Sequence, residues 1–439
     1  MLSPTALAEV ARLARERAGS VVTMGRLLRV TGQLIEAHLP GAEIGDLVEI
    51  ERDAAAVTGE VVGLREELAL VVPLGDVRRL AAGARVRRLG TGADIPVSDE
   101  MVGRLVDVFG APMDGGPPIH AEARVPIDRP PLRIDHRAAI AQRLETGVRV
   151  LDGVLPFGRG QRVGIFAGAG VGKTVLMRQL IAQCGADVVV VGLIGERGCE
   201  VFDLLGSEAR KRSVVLAATS DRSPLERARG ARAATAIAEH FAHRGAHVLL
   251  VIDSLTRYAM AMREIGLAAG ELPATKGYPP SVFASLPRLL ERVAPLGRGG
   301  SITGVYTVLV EGDDLADPVA DSARSLLDGH VVLSRDLAAR GHFPAVDVLA
   351  SASRVARQVT TRDEQRLMER ARGLLAVRHD VEELKSLGAY VPGASPEQDR
   401  ALTVGKTLDG WLRQRVDERA TAAATIDALR AILDQGGVP

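Results

Sequence analysis

Apolar and polar positions along this chain fall into successive regimes. Residues 1–19 place Leu7, Val10 and Ala14 at helical spacing among charged neighbours, which predicts one amphipathic helix. From 20 to 95, short β-rich runs alternate with turn residues. The runs are Gly25–Val30, Gln33–Ala37, Leu47–Glu51, Glu60–Leu64 and Ala69–Pro73, punctuated by Pro40-Gly41, Gly45-Asp46 and Gly75-Asp76. Strands this short and this closely spaced predict a small β-barrel, whose closure removes exposed edges. Pro112, Pro117, Pro118, Pro126, Pro130 and Pro131, with Gly115-Gly116, then predict an extended connector over 96–149, because proline removes backbone donors and forbids regular helix. From 150 to 362 the apolar strands Arg162–Ala167, Val188–Ile194, Val248–Ile252, Thr303–Val310 and His330–Leu333 are separated by helical stretches, the signature of a parallel sheet with crossover helices. Residues 363–439 read as helices with a Gly/Pro break at Gly388–Pro396.

Composition narrows the function. The chain has 439 residues, 46% hydrophobic and 25% charged, so it can bury a large core. Lys+Arg and Asp+Glu are both 55, giving a formal net charge of zero, where a nucleic-acid binder would carry a basic excess. Seven Phe, one Trp and four Tyr are too few for base-stacking platforms. Cys184 and Cys199 make neither a disulfide framework nor a zinc site, which points to a reducing compartment. No apolar stretch approaches the ~18 residues of a membrane span, and the first residues lack the apolar core of a secretion signal. A soluble cytoplasmic protein is expected.

The strongest local signal is Gly168-Ala169-Gly170-Val171-Gly172-Lys173-Thr174, between the strand Arg162–Ala167 and the helical run Val175–Cys184. Strand, glycine loop and helix occur in the order of a phosphate cradle. Glycines let backbone N–H groups wrap a phosphate, and the helix N-terminus adds partial positive charge. Lys173 would reach the β- and γ-phosphates, and the Thr174 hydroxyl would coordinate Mg²⁺. The usual pattern opens with glycine, and Ala167 stands there instead.

Parallel sheets bind ligands at the carboxyl ends of their strands. Asp253 closes the strand His247–Ile252, a Walker B arrangement in which a carboxylate holds Mg²⁺ through its waters. Glu196 follows Val188–Gly195, where a carboxylate near the γ-phosphate can orient the attacking water. Arg197 comes next in the chain.

Beyond these residues, several segments carry a resemblance. They are Gly195-Glu196-Arg197-Gly198, Asp253-Ser254-Leu255-Thr256-Arg257-Tyr258, Pro273–Ser281, Glu311-Gly312-Asp313-Asp314 and Phe343-Pro344-Ala345-Val346-Asp347. Together, over roughly residues 20–400, the chain resembles the type III protein-export ATPases, flagellar or injectisome, which are relatives of the catalytic subunits of rotary ATP synthases. Ala167 fits, since the export ATPases commonly have Ala-Gly at that point. The resemblance implies a β-barrel, a central P-loop (RecA-like) nucleotide domain and a C-terminal helical domain, in agreement with the α/β reading above. It implies a homohexamer that binds ATP and Mg²⁺ between subunits. Glu196, Lys173, Arg197 and Arg354 form the expected catalytic set, with Arg354 in Ser351-Ala352-Ser353-Arg354-Val355 as the arginine finger for the neighbouring subunit. Phe343 falls where the family stacks an aromatic ring on adenine. Cys199 departs from the arginine that many relatives carry.

The resemblance also suggests partners: stator and central-stalk proteins, export substrates and chaperones. The acidic stretch Glu311, Asp313, Asp314, Asp317 and Asp321 and the segment Pro273–Pro280 match loops that face the central hole, where a basic stalk would be favoured. Arg78-Arg79, Arg85 and Arg87-Arg88 read as solvated faces or as contacts for acidic lipid or an adaptor, so peripheral association with a membrane is an added expectation. The rival reading is a catalytic-type subunit of a rotary proton-translocating ATPase. Such rings alternate catalytic and non-catalytic chains, whereas this chain carries both Glu196 and Arg354. Its region Arg378–Lys385 also lacks the dense acidic motif of the synthase β subunit. An RNA-translocating hexamer resembling the termination factor Rho is disfavoured by the absent basic excess, and a binding protein without turnover by the retained Glu196.

Overall fold

The computed structural model describes residues 24–52, 55–91, 94–198, 200, 210–297, 299–310, 312 and 314–435. The helix expected over 1–19 lies outside the described residues, as do Cys199, Glu311 and Asp313. Contacts divide the chain into two compact units. One runs to Ala93 and includes Leu267–Glu271; the other comprises Asp94–Gly266 and Leu272–Pro439.

The first unit contains β1 (Met24–Thr31), β2 (Leu34–His38), β3 (Asp46–Ile50), β4 (Val57–Arg65), β5 (Leu68–Pro73) and β6 (Arg85–Thr91). They close a barrel in the order β1-β2-β5-β4-β3-β6. Alternate residues point inward, so Leu27, Ile35, Val48, Ile50, Val61, Val71 and Val86 fill it. β6 is a strand that the apolar pattern misses, because Arg85, Arg87 and Arg88 interrupt it. These arginines serve the barrel's own acids. Arg87 stands opposite Glu49 across the β3–β6 ladder and pairs with it at 2.7 Å. Arg88 Nε lies 2.6 Å from the carboxylate of Asp46, which is fully buried.

In the second unit, the span whose prolines predict an extended connector carries short strands. β7 (Asp94–Val97) and β9 (Ala123–Pro126) pair antiparallel, and β8 (Leu105–Val106) joins the edge of the central sheet. Two paired residues are too few for a periodicity to reveal. A small ladder of β10 (Arg143–Leu144) and β11 (Phe157–Gly158) follows.

The central sheet is built from β12 (Arg162–Ala167), β13 (Val188–Ile194), β14 (Ser213–Ala218), β15 (His247–Asp253), β16 (Ser301–Leu309), β17 (Gly329–Leu333) and β18 (Val346–Ser353) together with β8. The order is β18-β17-β12-β16-β15-β13-β14-β8, parallel throughout except at β17–β18. The inner strands are buried on both faces, which is why β13 and β15 read as continuous apolar runs. Because β12, β16, β15 and β13 are neighbours and parallel, the residues after β12, β13 and β15 emerge together at one edge. The crossover helix Pro224–His243 is fixed at its start by a capping box between Ser223 and Glu226.

Three helices complete the unit: Arg362–Ser386, Pro396–Leu412 and Ala422–Asp434, capped by Thr361, Ser395 and Thr421. The break expected at Gly388–Pro396 separates the first two. Leu367, Ala371, Leu408, Trp411 and Leu429 belong to the same core as the central strands. Among the described residues no helix is long and apolar enough to cross a membrane.

Candidate functional site

The glycine loop leaves β12 at the buried Ala167 and enters the helix Lys173–Gln183 through Gly172. Gly172 has φ 94°, the left-handed region that glycine reaches without strain. A Cβ there would also stand 3.3 Å from two ring carbons of Phe343. Buried Val171 anchors the loop, while Ala169 and Gly170 are exposed. Lys173 is the first helical residue and Thr174 the second, so both sit where the helix dipole favours an anion.

Lys173, Asp253 and Glu196 converge. The Lys173 ammonium lies 2.6 Å from Asp253 Oδ1 and 3.6 Å from Glu196 Oε1. Thr307, in the largely apolar run of β16, also donates to Asp253 Oδ1, at 2.5 Å. Both bonds fall on Oδ1 rather than Oδ2. Glu196 is buried, and its Oε1 accepts no hydrogen bond among the described residues. Gly195 lets the strand turn there: its φ is 70°, and a side chain would strike Arg257 at 3.0 Å.

Burial pushes the Glu196 carboxyl up to about 7, with the Asp253 charge adding to the rise and Lys173 opposing it. Lys173 is lowered by burial, but Asp253 and Glu196 outweigh that and hold its pKa above the ordinary value. The raised Glu196 has a consequence for stability. Between its ordinary 4.5 and about 7, the folded chain keeps a proton that the unfolded chain has lost. The stability contributed by neutral Glu196 is full below the lower value and is lost as pH rises through 7. Glu196→Gln should therefore flatten the fall in melting temperature of the nucleotide-free protein between pH 5 and 8; an unchanged pH profile would contradict the raised carboxyl.

A cavity of about 760 Å³ opens beside the loop helix, lined by Val175, Gly341, Phe343 and the segment from Arg413 to Glu418. Phe343 is 40% exposed there. The far wall comes from the stretch after the helix Pro396–Leu412, and no motif in the sequence marks it. It is pinned by glutamines: Gln179 donates to Arg415 O, Gln183 to Val416 O, and Gln414 accepts from Arg149 N while its own N–H donates to Phe343 O. Glutamines on the loop helix and just after Trp411, the chain's single tryptophan, are the sequence signal for this wall.

Two expected site residues stand apart. Arg197 is 81% exposed, 4.0 Å from Glu200. Arg354 follows β18, which runs antiparallel to β17, with Ser353 opposite Gly329. Its backbone N–H donates to Asp328 O, and Asp328 in turn donates to Arg162 O at the start of β12. The phosphate loop leaves the other end of that six-residue strand, about 20 Å away.

The acidic stretch has local partners. Asp317 caps the helix Pro318–Leu326, Asp321 lies 3.4 Å from Arg324, and Asp314 lies 3.8 Å from Lys276 of the Pro273–Pro280 segment. Cys184 is buried, and burial pushes its thiol up.

Comparison with known proteins covers most of the chain. Residues 147–353 match the ATP synthase alpha/beta family, nucleotide-binding domain; 27–90 match the beta-barrel domain of that family; 360–431 match the T3SS EscN ATPase C-terminal domain. The chain is 46% identical over 435 residues to the type 3 secretion system ATPase of Pseudomonas syringae pv. tomato, covering 95% of each. It is 46% identical over 424 residues to the flagellum-specific ATP synthase of Salmonella typhimurium, covering 93% of each. The assembled ATPase EscN of the enteropathogenic E. coli type III secretion system, solved in complex with its central stalk EscO, superposes with a TM-score of 0.86 at 39% identity, covering 93% of this chain and 100% of that one. These two relatives, one of a secretion system and one of a flagellum, stand at equal identity.

Proposed function

Because the chain belongs to the type III secretion and flagellar export ATPases, of the ATP synthase alpha/beta family, we propose that it hydrolyses ATP as one protomer of a homohexameric ring, with each site shared between two copies, and thereby energises protein unfolding and export. The observation that carries the site assignment is the buried Glu196 oxygen with no hydrogen-bond donor among the described residues, beside a lysine and an aspartate at the mouth of a glycine loop. Buried carboxylate oxygens are nearly always satisfied, and exceptions cluster where chemistry is done.

The residues fall into roles. Backbone N–H groups of the loop and the start of the helix Lys173–Gln183 receive the phosphates, and Lys173 neutralises their charge. Phe343 stacks on the base at the mouth of the cavity that the segment from Arg413 to Glu418 closes. Glu196 orients a water toward the terminal phosphate and takes its proton; a carboxyl near 7 is matched to that task at neutral pH. Mg²⁺, held by Thr174 and by Asp253 through water, would supply charge neutralisation on the transferring phosphate. Arg354, unable to reach its own loop, serves the neighbouring copy's. Arg197 lies one residue beyond Glu196 and is exposed, so its part is at the rim.

A central stalk of basic character fits the rim formed by Asp314, Asp317, Asp321 and Lys276, and the barrel suits stator contact. Export substrates, their chaperones and a place at the inner face of the cytoplasmic membrane complete the reading. The conserved-shape variant Glu196→Gln tests the core of it. Hydrolysis should fall by about 10²–10⁴, the usual contribution of a positioned base, with nucleotide affinity kept within a few-fold. If affinity collapsed while turnover per bound nucleotide stayed normal, Glu196 would be a binding residue and the reading would fall.

A further inference from the structure

We propose that Arg357 is a second cation offered, together with Arg354, to the terminal phosphate of the nucleotide held by a neighbouring copy. The inference rests on the shared-site reading above. Arg354 and Arg357 follow the edge strand β18 and lie three residues apart across the entry to the short helix Ala356–Val359. Arg354 stands just before the cap residue Val355, and Arg357 is the second residue of the helix. Both line one cavity of about 270 Å³, which also contains Arg372 and a single carboxylate, Glu369.

The three arginines are engaged differently. Arg372 is committed to the fold: its Nη1 donates to Val348 O at 2.6 Å and its Nη2 to Leu349 O at 3.3 Å, which fixes the path of β18. Among the described residues the Arg354 guanidinium donates to one group, the carbonyl of Arg324, at 3.3 Å. The Arg357 guanidinium has no hydrogen bond or ion pair among the described residues, although its backbone carbonyl is fixed by Gln365 Nε2 at 3.2 Å. The turn is therefore held while its charge is free. Neither the Arg354 nor the Arg357 guanidinium is paired with a carboxylate among the described residues, so the two repel one another in so small a cavity, and one carboxylate cannot balance three cations. Such a concavity suits an anion that carries more than one charge, and guanidiniums match phosphate oxygens in shape as well as in charge. The nucleotide that needs Arg354 arrives with its terminal phosphate at this point, so Arg357 meets the same group from one turn further along. Acidic side chains on the neighbouring copy are the competing occupant.

Kinetics on the assembled ring and mixed rings distinguish these. Arg357→Ala should lower kcat about tenfold, less than the loss of a primary finger. Assembly at equal concentration, read by native mass spectrometry, should be unchanged. Arg357→Lys should recover part of the rate, because it keeps the charge and loses the fork. The decisive arm mixes an Arg354→Ala chain with a donor chain disabled at its own site by Lys173→Ala and Glu196→Gln. That donor should restore hydrolysis. The same donor carrying Arg357→Ala in addition should restore about tenfold less. Equal rescue by the two donors overturns the proposal, as does a loss of assembly without loss of kcat in intact rings, which would mark Arg357 as an interface residue paired with protein acids. Failure of even the first donor would instead refute the shared-site reading, and this proposal with it.

Discussion

Arg354→Ala should slow ATP hydrolysis by about 10³–10⁵-fold, the range of an arginine finger where it has been measured in GTPases, with only modest loss of nucleotide affinity. The size follows from timing: a finger meets charge that develops in the transition state, so its loss falls on kcat. The place follows from topology. An antiparallel last strand delivers Arg354 to the amino end of β17 and β12, while the phosphates dock at the carboxyl end of β12. No rotamer of one arginine spans that strand. Concentration should therefore matter. At dilutions where the chain is monomeric, Arg354→Ala and the parent should hydrolyse at the same slow rate, and the difference should emerge only as rings form. A defect of equal size in monomers would place the arginine's action within its own chain.

Lys173→Ala should reduce kcat/KM by more than about 10³, since it removes transition-state charge stabilisation and ground-state binding together. A second effect compounds the first. Lys173 is the cation that opposes the rise of the Glu196 carboxyl, so without it Glu196 moves further above 7 and is protonated at neutral pH. Asp253 loses the ammonium at 2.6 Å and keeps the Thr307 hydroxyl. Raising the pH should return the charge on Glu196 without restoring activity, because the phosphates still lack their partner. Measured by steady-state hydrolysis and by titration with a fluorescent nucleotide, near-parental turnover in this variant would remove the glycine loop from the mechanism.

What the sequence discloses tracks how local the chemistry is. The glycine loop, Asp253 and Glu196 are each legible because a strand, a turn and a functional residue are contiguous, and one parallel sheet then brings the three strand ends together. β13 and β15 are legible for the same reason that they are buried on both faces. β6 is not, since its outward positions hold arginines that answer acids on β3. β8 is too short to have a period. The wall from Arg413 to Glu418 is invisible in advance because it acts through position alone: its contacts with Phe343 and the loop helix run through Gln179, Gln183 and Gln414, across more than two hundred residues of chain for the first two. Thr307 lay in plain view as a hydroxyl inside an apolar strand, but nothing in the linear pattern says that Asp253 is its partner. Arg354 was recognisable by resemblance only; its separation from its own phosphate loop is a property of strand direction, which emerges once β18 is seen to run against β17.

The measurement that bears most directly on the account is the activity of rings mixed from Glu196→Gln and Arg354→Ala chains. Each preparation alone should be nearly inactive. The first still offers Arg354 to its neighbour, and the second still holds an intact Glu196 and Lys173, so some mixed interfaces join a working carboxylate to a working finger. Hydrolysis should therefore reappear on co-assembly and follow the fraction of such interfaces as the mixing ratio is varied. Verified mixed rings that remain as inactive as either parent at every ratio would contradict the claim that each site is built from two copies of this chain.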